Sequence, residues 1–223
     1  MNIQEYADRD LLAMDVANKL AGDLETALLH EETVAFAVPG GTTPGPIFDS
    51  LCAADIEWER VRVVPTDERC VPQDHERSNA RLIQERLLVN RAASAEFVPL
   101  YVPSARPEDA LPEVEALIAP VLPLHVLVLG MGEDMHTASL YPGMPGLAEA
   151  LDSDAPILAV ARTEVQPEPR ITFTAPVLDG ALSKHLVIYG SRKRAALERA
   201  LSLPPEEAPI AAVLSGITVH WAE

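Results

Sequence analysis

Apolar positions recur at helical spacing from Tyr6 to Leu29, through Leu11, Leu12, Met14, Val16, Leu20, Leu24 and Leu28, and predict one long helix. Thr33-Val34-Ala35-Phe36-Ala37-Val38 is a continuous apolar run that predicts a buried strand ending at Pro39-Gly40-Gly41. A short helix is expected from about Pro44, because proline suits a first helical turn. The pattern then predicts a strand at Val61–Pro65, helices at Ser78–Leu88 and Pro107–Ala119, and a strand at Leu124–Leu129. Further strands are expected at Ile157–Val160, Arg170–Phe173 and His185–Tyr189, a helix at Arg192–Leu201, and a last strand at Thr218–Trp221.

Strands alternating with helices at this pace predict an α/β fold. Its sheet is mostly parallel with helices on both faces, a three-layer Rossmann-like arrangement. No repeat, low-complexity tract or linker divides the chain, so a single domain over residues 1–223 is expected. Apolar residues make up 48% of the chain and aromatics 4%, so the core must be built mainly from Ala, Leu, Val and Ile.

The formal net charge of -17 argues against nucleic acid as a partner, since phosphate backbones are held by clustered Lys and Arg. A small phosphorylated ligand stays possible if a few cations converge locally. No apolar run reaches the roughly 18 residues of a membrane span. The opening Met1-Asn2-Ile3-Gln4-Glu5-Tyr6 lacks the basic and apolar regions of a secretory leader. Cys52 and Cys70 suit a reducing compartment and no disulfide framework. A cytoplasmic protein is expected, and its oligomeric state stays open.

Candidate chemistry falls at strand ends. Gly40-Gly41-Thr42-Thr43-Pro44 joins strand to helix and offers backbone N–H groups and hydroxyls to an anion, though many plain tight turns carry glycines. It is not a Walker loop, because no Gly-Lys-Ser/Thr follows. Asp67 and Arg69, followed by His75, Ser78 and Asn79, can present a carboxylate and a guanidinium to one pocket, or form a solvated turn with Ser78 as a helix cap. Leu127-Val128-Leu129-Gly130-Met131-Gly132-Glu133-Asp134-Met135-His136 ends a strand in two glycines, an acid and a histidine. A histidine at the carboxyl edge of a parallel strand lies where open α/β sheets bind substrates, which makes His136 the leading candidate base. Asp134 reads as a loop-orienting or turn carboxylate. Arg170 and Lys193 stand at two later element edges as candidate cations. His30, His125, His185 and His220 show no zinc-type spacing, so no metal site and no cofactor are expected.

In order and spacing these blocks resemble the 6-phosphogluconolactonases, within the wider glucosamine-6-phosphate isomerase and lactonase superfamily. The resemblance is carried by Gly40-Gly41-Thr42-Thr43-Pro44, by Asp67-Glu68-Arg69 with His75 and Asn79, and by His136-Thr137-Ala138-Ser139-Leu140-Tyr141-Pro142. Arg170-Ile171-Thr172 and Gly190-Ser191-Arg192-Lys193 follow in family order. Two departures stand out: Pro39 replaces the leading serine of the first block, and Met135 stands where the family usually has glycine. The resemblance implies hydrolysis of 6-phosphoglucono-δ-lactone, with His136 as base and Asp67 supporting its imidazolium. It implies phosphate seated on Gly40, Gly41, Thr42 and Thr43, with Arg69, His75, Asn79, Arg170 and Lys193 also binding substrate. The alternatives are a silent sugar-phosphate sensor, motivated by Met135, and a hexosamine-phosphate isomerase or deaminase. The latter is disfavoured by the Thr-Ala-Ser-Leu segment after His136.

Overall fold

The computed structural model describes residues 1–164 and 167–223. Helix α1 (Arg9–Leu28) begins where the Asp8 side chain accepts the Leu11 N–H at 2.8 Å, and it buries Leu12, Val16, Leu20 and Leu24. The expected start at Tyr6 is too early: Asn2–Glu5 form strand β1, and the Tyr6 N–H still bonds the Trp221 carbonyl. Polar Asn2, Gln4 and Glu5 hid this edge strand from a reading based on apolar runs.

Seven strands form one wholly parallel sheet in the order β1-β10-β9-β6-β2-β3-β5. They are β1, β2 (Val34–Val38), β3 (Val61–Pro65), β5 (Glu96–Phe97), β6 (Val126–Leu129), β9 (Ser183–Tyr189) and β10 (Thr218–Ala222). Both faces are covered, as the apolar strands require. Val34, Phe36, Val38, Val126 and Val128 pack with α1, α2 (Gly45–Leu51) and α3 (Asn79–Arg86). Their alternates Ala35, Ala37, Leu127 and Leu129 pack with α4 (Pro107–Ile118), α6 (Ala175–Asp179) and α7 (Ser191–Ala200). The expected parallel three-layer α/β architecture is present. Among the described residues no helix is long and apolar enough to cross a membrane.

A second sheet was not foreseen. Strands β4 (Asp67–Arg69), β8 (Arg170–Phe173) and β7 (Leu158–Ala161) pair antiparallel, with Arg69 opposite Arg170 and Asp67 opposite Thr172. β4 is three residues long and charged, so neither periodicity nor apolar run marks it. α5 (Leu147–Leu151) and α6, five residues each, are likewise too short for a helical period to emerge.

The strand order places the site. From β2 the chain moves outward to β3 and β5; from β6 it moves the other way to β9 and β10. β2 and β6 are neighbours, so their carboxyl-terminal loops diverge and leave a crevice between them.

Two buried histidines work for the scaffold. His125 Nδ1 accepts the Ala35 N–H at 3.0 Å, which requires that nitrogen to be unprotonated. Burial pushes the His125 imidazole down. On β10, between β1 and β9, His220 Nε2 lies 3.0 Å from His185 Nδ1 and its Nδ1 2.9 Å from the Tyr6 hydroxyl. Burial, then the positive charges of His185 and Lys19, push His220 down to about 4 against the pull of Asp15 and Asp23. Both groups stay neutral in the folded chain, whereas the unfolded chain binds protons from about pH 6.5 downward. Their contribution to stability is therefore complete above that pH and is lost as pH falls below it, for His220 towards 4. The urea midpoint should accordingly drop steadily between about pH 6.5 and 4.5. A midpoint that stays level across this window would contradict the assignment.

Candidate active site

The first wall of the crevice is the loop after β2. Gly41 has φ +85°, a left-handed conformation that favours glycine. A Cβ at Gly40 would lie 1.9 Å from Asn79 Oδ1, so the backbone can approach this side chain only without one. Asn79 in turn donates through Nδ2 to the Asp67 carbonyl at 2.7 Å, and its Oδ1 accepts from the Arg69 guanidinium at 3.0 Å. Ser78 is the cap of α3, with its Oγ accepting the Arg81 N–H.

Glu68, which sequence reasoning did not single out, holds this corner together. Its buried carboxylate accepts from the N–H groups of Arg69, Asn79 and Ala80 at 2.7 to 2.8 Å and from Ser78 Oγ at 3.1 Å. Burial raises its carboxyl above the usual range, opposed by those four donors. The charge is thus spread over α3's first turn, which fixes Asn79 and, through it, Arg69.

The second wall is the short antiparallel sheet. Asp67 Oδ2 accepts from Ser139 Oγ at 2.5 Å and from the Arg170 guanidinium at 3.3 Å. Burial and then the charge of Arg170 lower the Arg69 guanidinium below its ordinary value. Two guanidinium groups crowded together in a chain of net charge -17 favour an anion between them.

The third wall is the loop after β6. His136 Nδ1 lies 2.6 Å from Asp134 Oδ1, and the His136 N–H also donates to that oxygen at 3.2 Å. Burial pushes Asp134 up, but the hydrogen bonds and charge of His136 outweigh it and hold the carboxyl below its usual range. The carboxylate on the imidazole is therefore Asp134, and the expected pairing of His136 with Asp67 is corrected. Asp67 is turned to Ser139 and Arg170 because β4 pairs with β8. Three residues among those described combine a side chain beyond glycine with positive φ, and two of them flank His136: Met135 at +67° and Ala138 at +47°. Such strain concentrates where a side chain must be aimed. It is held here by Ile210 N–H to the Met135 carbonyl at 3.1 Å, by Thr137 Oγ1 to the Gly130 carbonyl at 2.9 Å, and by Ser139 N–H to Thr172 Oγ1 at 3.1 Å.

These walls enclose a cavity of about 310 Å³. It is lined by Gly40, Gly41, Thr42 and Thr43, by Asp67, Arg69 and Asn79, and by His136, Arg170 and Lys193. Lys193 is lowered by burial against the opposing pull of Glu133 and Asp134. His75 is not on the lining: its Nδ1 accepts the Arg77 N–H at 3.1 Å within the turn leading to α3. The turn thus engages one ring nitrogen of His75 and sets the residue apart from the other expected site residues. Met135 is absent from the lining too and packs against the apolar core, so its replacement of glycine leaves the cavity open. Tyr141 does line the cavity, although sequence reasoning took it only as part of the histidine block. Gly132 bounds the base from below: a Cβ there would meet Asp134 Oδ1 at 2.3 Å and His136 Cε1 at 2.4 Å. Gly132→Ala should keep the thermal midpoint within a few degrees yet lower kcat/KM at least about tenfold, because the acid–imidazole pair must shift. Full activity with that methyl present would show that the pair is not required where it stands.

Comparison with known proteins agrees with this fold. The family model for glucosamine-6-phosphate isomerases/6-phosphogluconolactonase matches residues 7–221. A 6-phosphogluconolactonase of Mesorhizobium japonicum is 42% identical, covering 99% of this chain and 95% of its own. That of Rhizobium meliloti is 39% identical, covering 99% and 98%. The crystal structure of a 6-phosphogluconolactonase from Shewanella baltica superposes with a TM-score of 0.96 at 29% identity, covering 100% of this chain and 98% of that one. The chain belongs to the glucosamine-6-phosphate isomerase/6-phosphogluconolactonase family.

Proposed function

We propose that this protein hydrolyses 6-phosphoglucono-δ-lactone to 6-phosphogluconate, the lactonase step of the oxidative pentose phosphate pathway in the cytoplasm. The observation that carries the reading is the Asp134–His136 contact of 2.6 Å on a cavity that also presents Arg69, Arg170 and Lys193. The full-length likeness to 6-phosphogluconolactonases supports the same substrate.

A δ-lactone is an activated ester, so the step asks for a positioned water, a base and charge stabilisation. In this reading the His136 Nδ1–H donates to Asp134, which leaves Nε2 unprotonated as the base. Nε2 takes a proton from water as the oxygen attacks the lactone carbonyl. The imidazolium, steadied by Asp134, then returns that proton to the departing ring oxygen. The ring opens to a carboxylic acid, which ionises at neutral pH. The phosphate rests on the Gly40–Thr43 loop, and Arg69, Arg170 and Lys193 supply positive charge for it and for the developing oxyanion. Asp67 orients Arg170 and, through Ser139, the loop beyond His136.

Freshly generated lactone, followed against its spontaneous hydrolysis with chelator present, tests this directly. Wild type should accelerate ring opening, and His136→Ala should lose about 10²–10⁴-fold while staying folded. Asp134→Asn should lose a comparable factor, because it removes the charge that steadies the imidazolium and its amide can donate to Nδ1, holding the ring in the wrong tautomer. Binding of 6-phosphogluconate by folded wild type without lactone turnover would select the sensor reading. Wild-type rates in His136→Ala would remove His136 from the mechanism.

A further inference from the structure

The Tyr141 ring centroid lies 4.4 Å from that of His136, with the ring planes inclined by 34°. The Arg170 guanidinium carbon lies 5.8 Å from the centre of the same Tyr141 ring. One aromatic side chain thus meets both the imidazole and a wall cation of the cavity. It is 5% exposed, and its N–H is anchored at 3.5 Å from Met144 Sδ. Burial raises its phenol, so the ring stays neutral through the working pH range.

We propose that Tyr141 is a positioning residue for the base: its ring fixes the tilt of the His136 imidazole and favours the imidazolium. The inference deepens the lactonase reading and rests on it for the identity of the base. The physical argument has two parts. Asp134 holds the imidazole at one nitrogen only, which leaves the ring free to swing about that contact. A flat neighbour at 4.4 Å removes that freedom. The π face also attracts positive charge, so it favours the imidazolium that forms in the transition state, and the same ring meets the Arg170 guanidinium. The remaining charges around the imidazole are Asp134 and Glu133 on its own loop, Asp67 and Arg69 of β4, and Arg192 and Lys193 of α7. The Tyr141 hydroxyl is itself coupled to Arg69, Asp67 and Asp134, and Tyr141→Phe, which removes the hydroxyl alone, separates that coupling from the effect of the ring.

Three proteins decide the matter: wild type, Tyr141→Phe and Tyr141→Leu. Tyr141→Leu should lower kcat about three- to tenfold with KM within about twofold, the size of one aromatic contact. The acid limb of its kcat/KM profile should move to lower pH by roughly half a unit, because the imidazolium loses the ring. Tyr141→Phe keeps the ring and should retain the wild-type acid limb and kcat within about twofold. An unmoved acid limb in a folded Tyr141→Leu, or a change confined to KM, would reduce Tyr141 to a wall of the cavity and overturn the proposal.

A second measurement needs neither turnover nor the leucine variant. In wild type, the NMR signals of the Tyr141 ring protons should shift with pH at the midpoint shown by the His136 imidazole protons. The shift should vanish in His136→Ala. Tyr141 signals that ignore that titration would overturn the proposal, whatever reaction the site performs. Failure of the lactonase reading is seen separately, as wild type that does not accelerate ring opening.

Discussion

Everything in this molecule hangs on the reversal of strand order between β2 and β6. Two neighbouring parallel strands send their chains to opposite sides, which leaves a crevice at the carboxyl edge between them. The Gly40–Thr43 loop lies on one side of that gap and the Gly130–His136 loop on the other. Strand continuity on both sides makes the gap stiff: β2 is fully buried along its length, as is β6. A site built on rigid strand ends can hold an imidazole and an anion seat at fixed separation, which is what acyl transfer to water demands.

The second constraint is charge. A chain of net charge -17 assembles a cavity edged by Arg69, Arg170 and Lys193, and internal carboxylates make this tolerable. Asp67 takes Arg170, and Glu68 orders the first turn of α3 so that Asn79 can take Arg69. The antiparallel register that sets Arg69 opposite Arg170 leaves positive charge concentrated where a phosphate would rest. Backbone strain at Met135 and Ala138 aims His136, and the tertiary bonds from Ile210 and Thr172 hold it in place. Tyr141 belongs to the same arrangement, because it bridges the strained loop to the cationic wall.

Much of this was legible beforehand. Long apolar runs and the helical spacing of α1 are local signals, so the parallel sheet and its two helical layers followed from them. The glycine turns before α2 and around His136 were legible because glycine is demanded by φ at Gly41 and by close approach at Gly40 and Gly132. Short or polar elements escaped: β1 and β4 carry too few apolar residues, and α5 and α6 too few residues of any kind, to show a period.

The partner of His136 shows where local reading stops. Asp134 and Asp67 are both acids near glycines or cations in sequence, and only the folded chain distinguishes them. The tight loop brings Asp134 onto the imidazole, while β4–β8 pairing turns Asp67 to Ser139, 72 positions away in the chain. His75 likewise reads as a site residue, yet the fold sets it off the cavity lining, with Nδ1 bonded inside the turn before α3. By itself the sequence determined which elements form, where the loops carrying the chemistry begin, and which residue types they offer, since propensity and periodicity act over a few residues. Tertiary structure decided which carboxylate meets the imidazole, which cations face one another and that Tyr141 meets both His136 and Arg170. Those outcomes depend on strand register and sheet order, which are set by contacts between segments far apart in the chain.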